Sequence, residues 1–294
     1  MKQEIEISVI IPCYNSADTI GEQLYALSRQ TYPDRFEVII SDNGSKDDLP
    51  SITAKYQKHF SDLIVVNADK VKGPAYARNK GAKAAKGKLL LFCDADDVVE
   101  ENWIEIMSEA LDDHDVVASR LEHYSLNRNP NWVINTGMQS EELIQNRHFK
   151  PAIPHAVGSG LGIRKKLHVS IGGFDDHIYM AEDWDYCWKA QLSGADLYFE
   201  PNAIVHYRHR KSLKQSIKQA FIWGESYTVI VKKYHSLGIQ EPSIGCAINE
   251  WKHLVRKLFT IKKNDITFRN QTVWNIAHKI GRVKGSLKNR VAAF

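Results

Sequence analysis

Lys88-Leu89-Leu90-Leu91-Phe92-Cys93-Asp94-Ala95-Asp96-Asp97 decides the fold. Its apolar half reads as a strand buried on both faces, as in a parallel sheet. The carboxylates that follow cannot belong to the core, because burying them unpaired would be costly. They belong where the strand emerges. Asp94 and Asp96 are two apart, so on extended chain they share a face and can hold one hard divalent cation. Mg²⁺ or Mn²⁺ in that position suits neutralisation of a diphosphate. The plainer alternative is a turn whose Asp residues cap a helix beginning near Glu101.

Outward from this stretch the pattern alternates. Upstream, residues 5–11 read as a strand ended by Pro12, and 17–30 as a helix with Ile20, Leu24 and Leu27 at core spacing. Residues 36–40 form a second strand before the turn Asp42-Asn43-Gly44-Ser45, 49–59 a helix, 63–66 a strand and 73–85 an Ala-rich helix. Downstream, Trp103, Ile106, Met107, Ala110 and Leu111 stripe a helix, followed by a strand at 115–119. The alternation predicts an α/β fold: a mostly parallel central sheet, helices on both faces and functional loops at the carboxyl ends of the strands. Regularity stops near Arg120, and the polar stretch 121–160 reads as a lid or acceptor-binding insert. It returns as a turn at Gly172-Gly173-Phe174, a helix over 183–193, and strands at 195–199 and 203–207. Helical spacing then runs to about 235 and recurs at 251–259 and 273–283.

Hydrophobic content of 43% and charged content of 25% over 294 residues describe a globular chain, and no apolar run reaches the length of a membrane span. The four cysteines, at 13, 93, 187 and 246, are scattered without metal or redox spacing, which predicts reduced, mostly buried thiols. The N-terminus enters a strand almost at once with no secretory pattern. The expectation is therefore cytoplasmic, peripheral at the inner face of the cell membrane. Charge is unevenly placed. Residues 251–294 hold eleven Lys or Arg against one acidic residue, a formal +10, and the rest of a chain totalling +4 carries −6. Such asymmetry marks a surface facing something anionic.

Six ordered motifs then carry a resemblance: Ile10-Ile11-Pro12-Cys13-Tyr14-Asn15, Ser41-Asp42-Asn43-Gly44-Ser45-Lys46-Asp47, Gly73-Pro74-Ala75-Tyr76-Ala77-Arg78-Asn79-Lys80-Gly81, Cys93-Asp94-Ala95-Asp96-Asp97, Gly172-Gly173-Phe174-Asp175 and Glu182-Asp183-Trp184-Asp185-Tyr186. Each is weak alone, but their order and spacing are specific. Over about residues 5–210 the chain resembles the inverting glycosyltransferase family 2, whose members have the GT-A fold. The resemblance implies a domain at 1–215, with a nucleotide-binding half at 1–120 and an acceptor and catalytic half at 121–215. Residues 216–294, a basic and mostly helical extension, are the second expected domain, and 251–294 lies outside the resemblance.

The resemblance also implies roles. The Pro12-Cys13-Tyr14-Asn15 loop wraps the nucleoside, with Tyr14 over the base and Asp42 accepting from uracil; Asp42 also fits an Asx turn. Lys72 and Arg78 approach the diphosphate, Arg78 with its planar fork, and Ala95 lies in the nucleotide-binding loop. Asp96 ligates the metal, Asp94 contacts ribose or a metal-bound water, and His206 adds a metal or diphosphate contact. Arg208 and Arg210 neutralise the leaving nucleoside diphosphate. Asp183 is the base that deprotonates the acceptor, and Glu182 positions acceptor or sugar. A helix N-terminus lowers a carboxylate's pKa, so a desolvating or acidic neighbour must restore the basicity of Asp183. Trp184 and Trp188, four apart, read as a sugar platform or as core packing, with Gly173 beside them.

The leading expectation is a Mn²⁺- or Mg²⁺-dependent transferase moving sugar from a nucleotide-sugar, most simply a UDP-sugar, to a saccharide, lipid-linked or polymeric acceptor. A protein or peptide acceptor is one alternative, and a nucleotidyltransferase using the same cradle another. The missing Walker lysine counts against the latter. Nucleic acid is not an expected partner, since no zinc-finger or aromatic-basic module is present; a homo-oligomer is. For 251–259, with Trp251, Leu254, Val255, Leu258 and Phe259 at helical spacing, internal packing is the expectation. For 280–294, where Gly281, Gly285 and Ser286 weaken helicity, it is a surface tail touching an anionic membrane or an acidic acceptor.

Overall fold

The structure, a computed structural model, describes residues 4–127, 138–146, 149–240, 244–260 and 266–293. These fall into two compact units. The first comprises the described parts of 1–122, 137–144 and 154–208; the second comprises those of 123–136, 145–153 and 209–294. The division expected at 215–216 falls instead at 208–209, and the chain makes two earlier excursions into the second unit.

The first unit is built on β1 (Ile7–Cys13), β2 (Phe36–Asp42), β3 (Leu63–Asn67), β4 (Leu89–Phe92), β5 (Val98–Val99), β6 (Val116–Glu122), β7 (Leu161–Arg164) and β8 (Leu197–His206). They form one sheet in the order β3-β2-β1-β4-β7-β6-β8-β5. The neighbours β3, β2, β1 and β4 are all parallel, as are β6 and β8, while β7 runs antiparallel to both its neighbours and β5 antiparallel to β8. Parallel strands bring the residues after β1, β2 and β4 to one edge, which is what assembles a site from distant sequence.

Strand alternation sorts the core. Ile7, Val9 and Ile11 of β1 with Leu89 and Leu91 of β4 pack on one face, with α1 (Ile20–Ser28) and α4 (Trp103–Asp113). Ile10, Leu90 and Phe92 pack on the other, with α3 (Pro74–Ala84) and α6 (Glu182–Leu192). The remaining helices of this unit are α2 (Leu49–Tyr56) and the short α5 (Lys165–Ser170).

Pro12 does not end β1. The Ile10 carbonyl accepts from Cys93 and the Cys13 carbonyl from Asn43, so alternate residues face alternate neighbours and Pro12 faces the β4 side. Pairing to β4 stops at Ile10, so the missing N–H costs no ladder bond. The two strands expected at 195–199 and 203–207 are one, β8, whose pairing with β6 jumps from Glu200 to Ile204 around Pro201.

In the second unit α7 (Leu213–His235), α8 (Ile244–Thr260) and α9 (Ile266–Asn289) carry the chain. α7 and α9 lie side by side and parallel: Trp223 meets Trp274 at 6.0 Å between centroids, Arg282 stands 4.3 Å over the Tyr227 ring, and Asn289 donates to Thr228 Oγ1 at 2.8 Å. A Cβ at Gly224 would collide with the His278 carbonyl, and one at Gly281 with that of Phe221. The glycines expected to loosen residues 280–294 are therefore where two helix backbones touch, and α9 continues unbroken to Asn289. Leu258, Phe259 and Phe294 have side chains outside the described residues.

Candidate active site

At the end of β4 the chain turns sharply, with Asp97 N donating to the Asp94 carbonyl at 3.4 Å. This turn, and not an extended face, gathers the carboxylates: oxygens of Asp94, Asp96 and Asp97 lie within 4.8 Å of one another. Asp97 is 1% exposed and anchors the turn, accepting from Ser159 Oγ at 2.6 Å and from Arg208 N at 2.8 Å. Burial, then Asp96 and Asp94, push its pKa well up. Buried Gln23 braces the other side, donating to the Asp94 carbonyl at 3.3 Å and accepting from Val99 N at 3.0 Å. Asp94 and Asp96 remain half-buried at the rim. Clustered hard carboxylate oxygens of this kind fit Mg²⁺ or Mn²⁺, with Asp94 and Asp96 as the holding pair and Asp97 as their support.

Beyond the ends of β1 and β2 a second group forms. Asn15, at φ 51°, donates its N–H to Ser45 Oγ at 3.0 Å and accepts from Lys46 N at 2.8 Å. Asp42 accepts from Ser45 N at 2.8 Å, the Asx turn that its sequence allowed. Asn43 ties three segments together. Its Nδ2 donates to the carbonyls of Ala68 and Val71, and its Oδ1 accepts from Gly73 N at 2.9 Å, at the start of α3. Tyr14, 52% exposed, carries the Lys72 ammonium 5.9 Å over its ring. An aromatic face, a carboxylate and the Lys72 ammonium at one sheet edge suit a nucleoside and its phosphates.

Arg78 joins the Asp turn to the start of α6. It is 3% exposed, and its two terminal nitrogens donate to Asp94 Oδ1 and Glu182 Oε1, each at 2.7 Å. Burial opposes its charge, but Asp94 and Glu182 outweigh burial and its pKa rises. Gly158 backs the guanidinium: a Cβ there would lie 2.8 Å from its central carbon. The Gly158 N–H donates to Asp183 Oδ2 at 3.0 Å, and Asp183 Oδ1 accepts from Trp184 N at 2.8 Å. Burial raises the pKa of Asp183 against these hydrogen bonds, supplying the offset to the helix terminus. Glu182 is pushed up to about 7, by burial and then by Asp183. Ala181, directly before the pair, sits at φ 67°, a left-handed conformation that a non-glycine residue adopts at a cost. Trp184 stacks on His155 at 4.6 Å and 7°, and burial holds that imidazole neutral at a pKa of about 3.

Several expected residues land elsewhere. Arg78 is walled in by carboxylates, so as folded it is a strut and not a diphosphate contact. His206 lies outside the carboxylate cluster, with Nδ1 2.8 Å from Glu122 and Nε2 2.8 Å from Glu100. Both its ring nitrogens are thus engaged. Trp188 is 0% exposed and meets Trp184 edge-on at 5.5 Å, so its face is core and not a sugar platform. Gly173, at φ 65°, makes a turn docked on Asn79; Ala95 is buried in the core. Arg208 stands at the metal rim, its side chain donating to the Asp96 carbonyl at 2.7 Å and to Glu22 at 2.8 Å. Pro12 is half-buried one residue before the Cys13-Tyr14 loop. Asp97 and Gln23 were missed, Asp97 although it stood inside a motif; Gly158 and Ser159, in a 157–160 stretch whose N–H groups and small side chains suit a position near the sugar, bond Asp183 and Asp97.

A mixed α/β sheet of this order, with a nucleoside-sized edge beside an Asp turn and a helix-terminal carboxylate pair, defines a GT-A-type nucleotide-sugar fold. Residues 8–172 match the sequence model of Glycosyl transferase family 2, and the chain belongs to that family. Among relatives, glycosyltransferase AglE of Haloferax volcanii is 28% identical over 204 residues, covering 67% of this chain and 65% of that one. A poly(ribitol-phosphate) beta-glucosyltransferase of Bacillus spizizenii is 38% identical over 209 residues, covering 69% and 32%. Among solved structures, the mannosyltransferase PcManGT of Pyrobaculum calidifontis, in complex with GDP-Man and Mn²⁺, superposes with a TM-score of 0.63 at 17% identity, covering 95% of this chain and 87% of that one. S. aureus TarS 1-349 in complex with UDP-GlcNAc gives 0.56 at 18%, covering 99% and 93%. The chain spans 65% of AglE and 48% of a Mycobacterium tuberculosis pre-mycofactocin glycosyltransferase.

Proposed function

We propose that this chain transfers a sugar, with inversion, from a nucleotide-sugar to a hydroxyl of a cell-surface glycan, lipid-linked saccharide or polymer, the donor being a UDP-sugar. The observation that carries it is the Arg78 bridge, which fixes a rim of hard carboxylates and a raised-pKa Asp183 in one frame. Asp183 takes the proton of the acceptor hydroxyl; that oxygen bonds the anomeric carbon from one side while the bond to the diphosphate oxygen breaks on the other, carrying its electron pair away. Asp94 and Asp96 would hold Mn²⁺ or Mg²⁺, which would supply charge neutralisation at the departing diphosphate. Tyr14, Asn15 and Asp42 hold the nucleoside, Lys72 and Arg208 stand by the phosphates, and half-buried Trp184 on His155 offers an aromatic face to the acceptor. TarS with UDP-GlcNAc and the poly(ribitol-phosphate) transferase support the UDP-sugar and polymer readings; PcManGT supports the metal and makes a GDP-sugar the second donor to try.

The test incubates the full chain with UDP- and GDP-sugars and Mn²⁺, with EDTA and D96A as controls. Release of a nucleoside diphosphate, lost with EDTA and in D96A and reduced at least ~100-fold in D183N, is expected. Turnover indifferent to metal, or pyrophosphate as product, overturns the reading.

A further inference from the structure

We propose that Gln139 is a positioning residue for the base: it pins the backbone of Val157 to β6, so that the next N–H along, that of Gly158, meets Asp183. The proposal rests on the reading of Asp183 as the base. Gln139 is 1% exposed, and its backbone is left-handed at φ 53°. That conformation is costly for a residue with a long side chain and suits glycine or asparagine. What the position gains from glutamine is the amide, which is engaged at both ends. Its Nε2 donates to the Ser119 carbonyl at 2.8 Å, and its Oε1 accepts from Val157 N at 2.7 Å. The Gln139 carbonyl accepts from Leu121 N at 2.9 Å, so main chain and side chain are both strapped to β6.

Ser119 thereby holds residues 157–160 at both ends. Its carbonyl reaches Val157 through the Gln139 amide, and its own N–H donates to the Gly160 carbonyl at 2.8 Å. Ser119 is 0% exposed and accepts from Trp103 Nε1 at 2.8 Å, so this anchor lies in packed core. Between the two ends, Gly158 holds Asp183 and Ser159 holds Asp97. The downstream end has a second tie to the sheet, Gly160 N to the Phe92 carbonyl at 2.8 Å, and needs nothing from Gln139. Loss of the amide therefore loosens Val157 and Gly158 ahead of Ser159. With them goes the hydrogen bond that reaches Asp183 from outside its own helix. Displacing a reacting group by about 1 Å can cost ~100-fold in rate. The Asp turn meanwhile keeps Gln23 and the Arg208 N–H, and Tyr14, Asn15, Asp42 and Lys72 take no part in this bracket.

The test compares the full-length wild type with Q139M, which fills the space without hydrogen bonds, and with Q139A and Q139G, which differ in their tolerance of the left-handed backbone. Nucleoside diphosphate release from UDP- and GDP-sugars, Mn²⁺ binding by calorimetry, Tm and amide hydrogen exchange are read on each. In all three variants kcat should fall roughly 10- to 100-fold, with the donor KM and the Mn²⁺ dissociation constant unchanged. Q139G should melt above Q139A without regaining turnover. Exchange at the amides of 157 and 158 should quicken by roughly two- to tenfold, as for one lost hydrogen bond. Wild-type kcat in Q139M, turnover that follows Tm from Q139A to Q139G, loss of Mn²⁺ binding in all three, or unchanged exchange at 157 and 158 overturns the proposal. If the wild type releases no nucleoside diphosphate, the transferase reading fails by itself, and the exchange result still decides whether Gln139 sets this backbone.

Discussion

Arg78 sits between groups expected to do different chemistry, and removing it shows what a single side chain holds. In R78M, Glu182 and Asp94 lose a buried partner, a change that typically costs about 3–5 kcal/mol. We expect a large fall in Tm with turnover abolished. R78K keeps the charge but cannot span two carboxylates with one fork, so it should recover part of the Tm and little of the turnover. Equal turnover in R78K and wild type would mean the bridge does not set the geometry. Glu182 adds a pH signature. Its folded pKa of about 7 stands above its ordinary 4.5, so it holds a proton more tightly in the native state. The stabilisation is complete below about 4.5 and lost as pH rises through about 7. Against E182Q, the wild type should lose Tm progressively across that window, and parallel Tm–pH curves for the two would refute the shift. The motif residues were legible because carboxylates after an apolar strand have few other uses. The bridge was not, since it joins residues 104 apart and a sequence gives no distance between them.

At the scale of elements, the strands and helices up to β6 follow their sequence signals closely, except the two-residue β5, which the sequence reading lacks. β7 was missed because Leu161-Gly162-Ile163-Arg164 is four residues long, pairs antiparallel on both sides and has a glycine where Met107 and Leu91 press in. Nothing in so short a run separates it from a loop. α9 misled in the opposite direction. Glycine lowers helix propensity in isolation, yet in α9 it permits backbone-to-backbone packing worth more than the propensity lost. The consequence is measurable: G281L forces a side chain into the Phe221 carbonyl and should destabilise the second unit by ~1–3 kcal/mol or more, seen as an earlier melting step. An unchanged melting curve would show that α7 and α9 are not in backbone contact.

At the scale of the whole molecule, the sequence showed a basic C-terminal part but not how the chain is shared between its two units. The chain leaves the first unit after Glu122, returns, leaves again after Ile144, returns at Pro154, and departs finally at His209. β7, α6 and β8 all follow the excursions, so the carboxylate pair and the two anchors of Asp97, Ser159 and Arg208, arrive late. A chain ending at 208 would retain both excursions without the helices that complete their unit. We expect it to aggregate, and a soluble monomer by gel filtration would contradict this. The same threading has a genetic reading. Exchanging the second unit with that of a relative means replacing three segments through five splice junctions and not one, and an insertion or deletion at any of them disturbs both halves. Recombination at a single crossover therefore cannot hand this chain a new appendage, and point substitution is the route by which its two halves can change together.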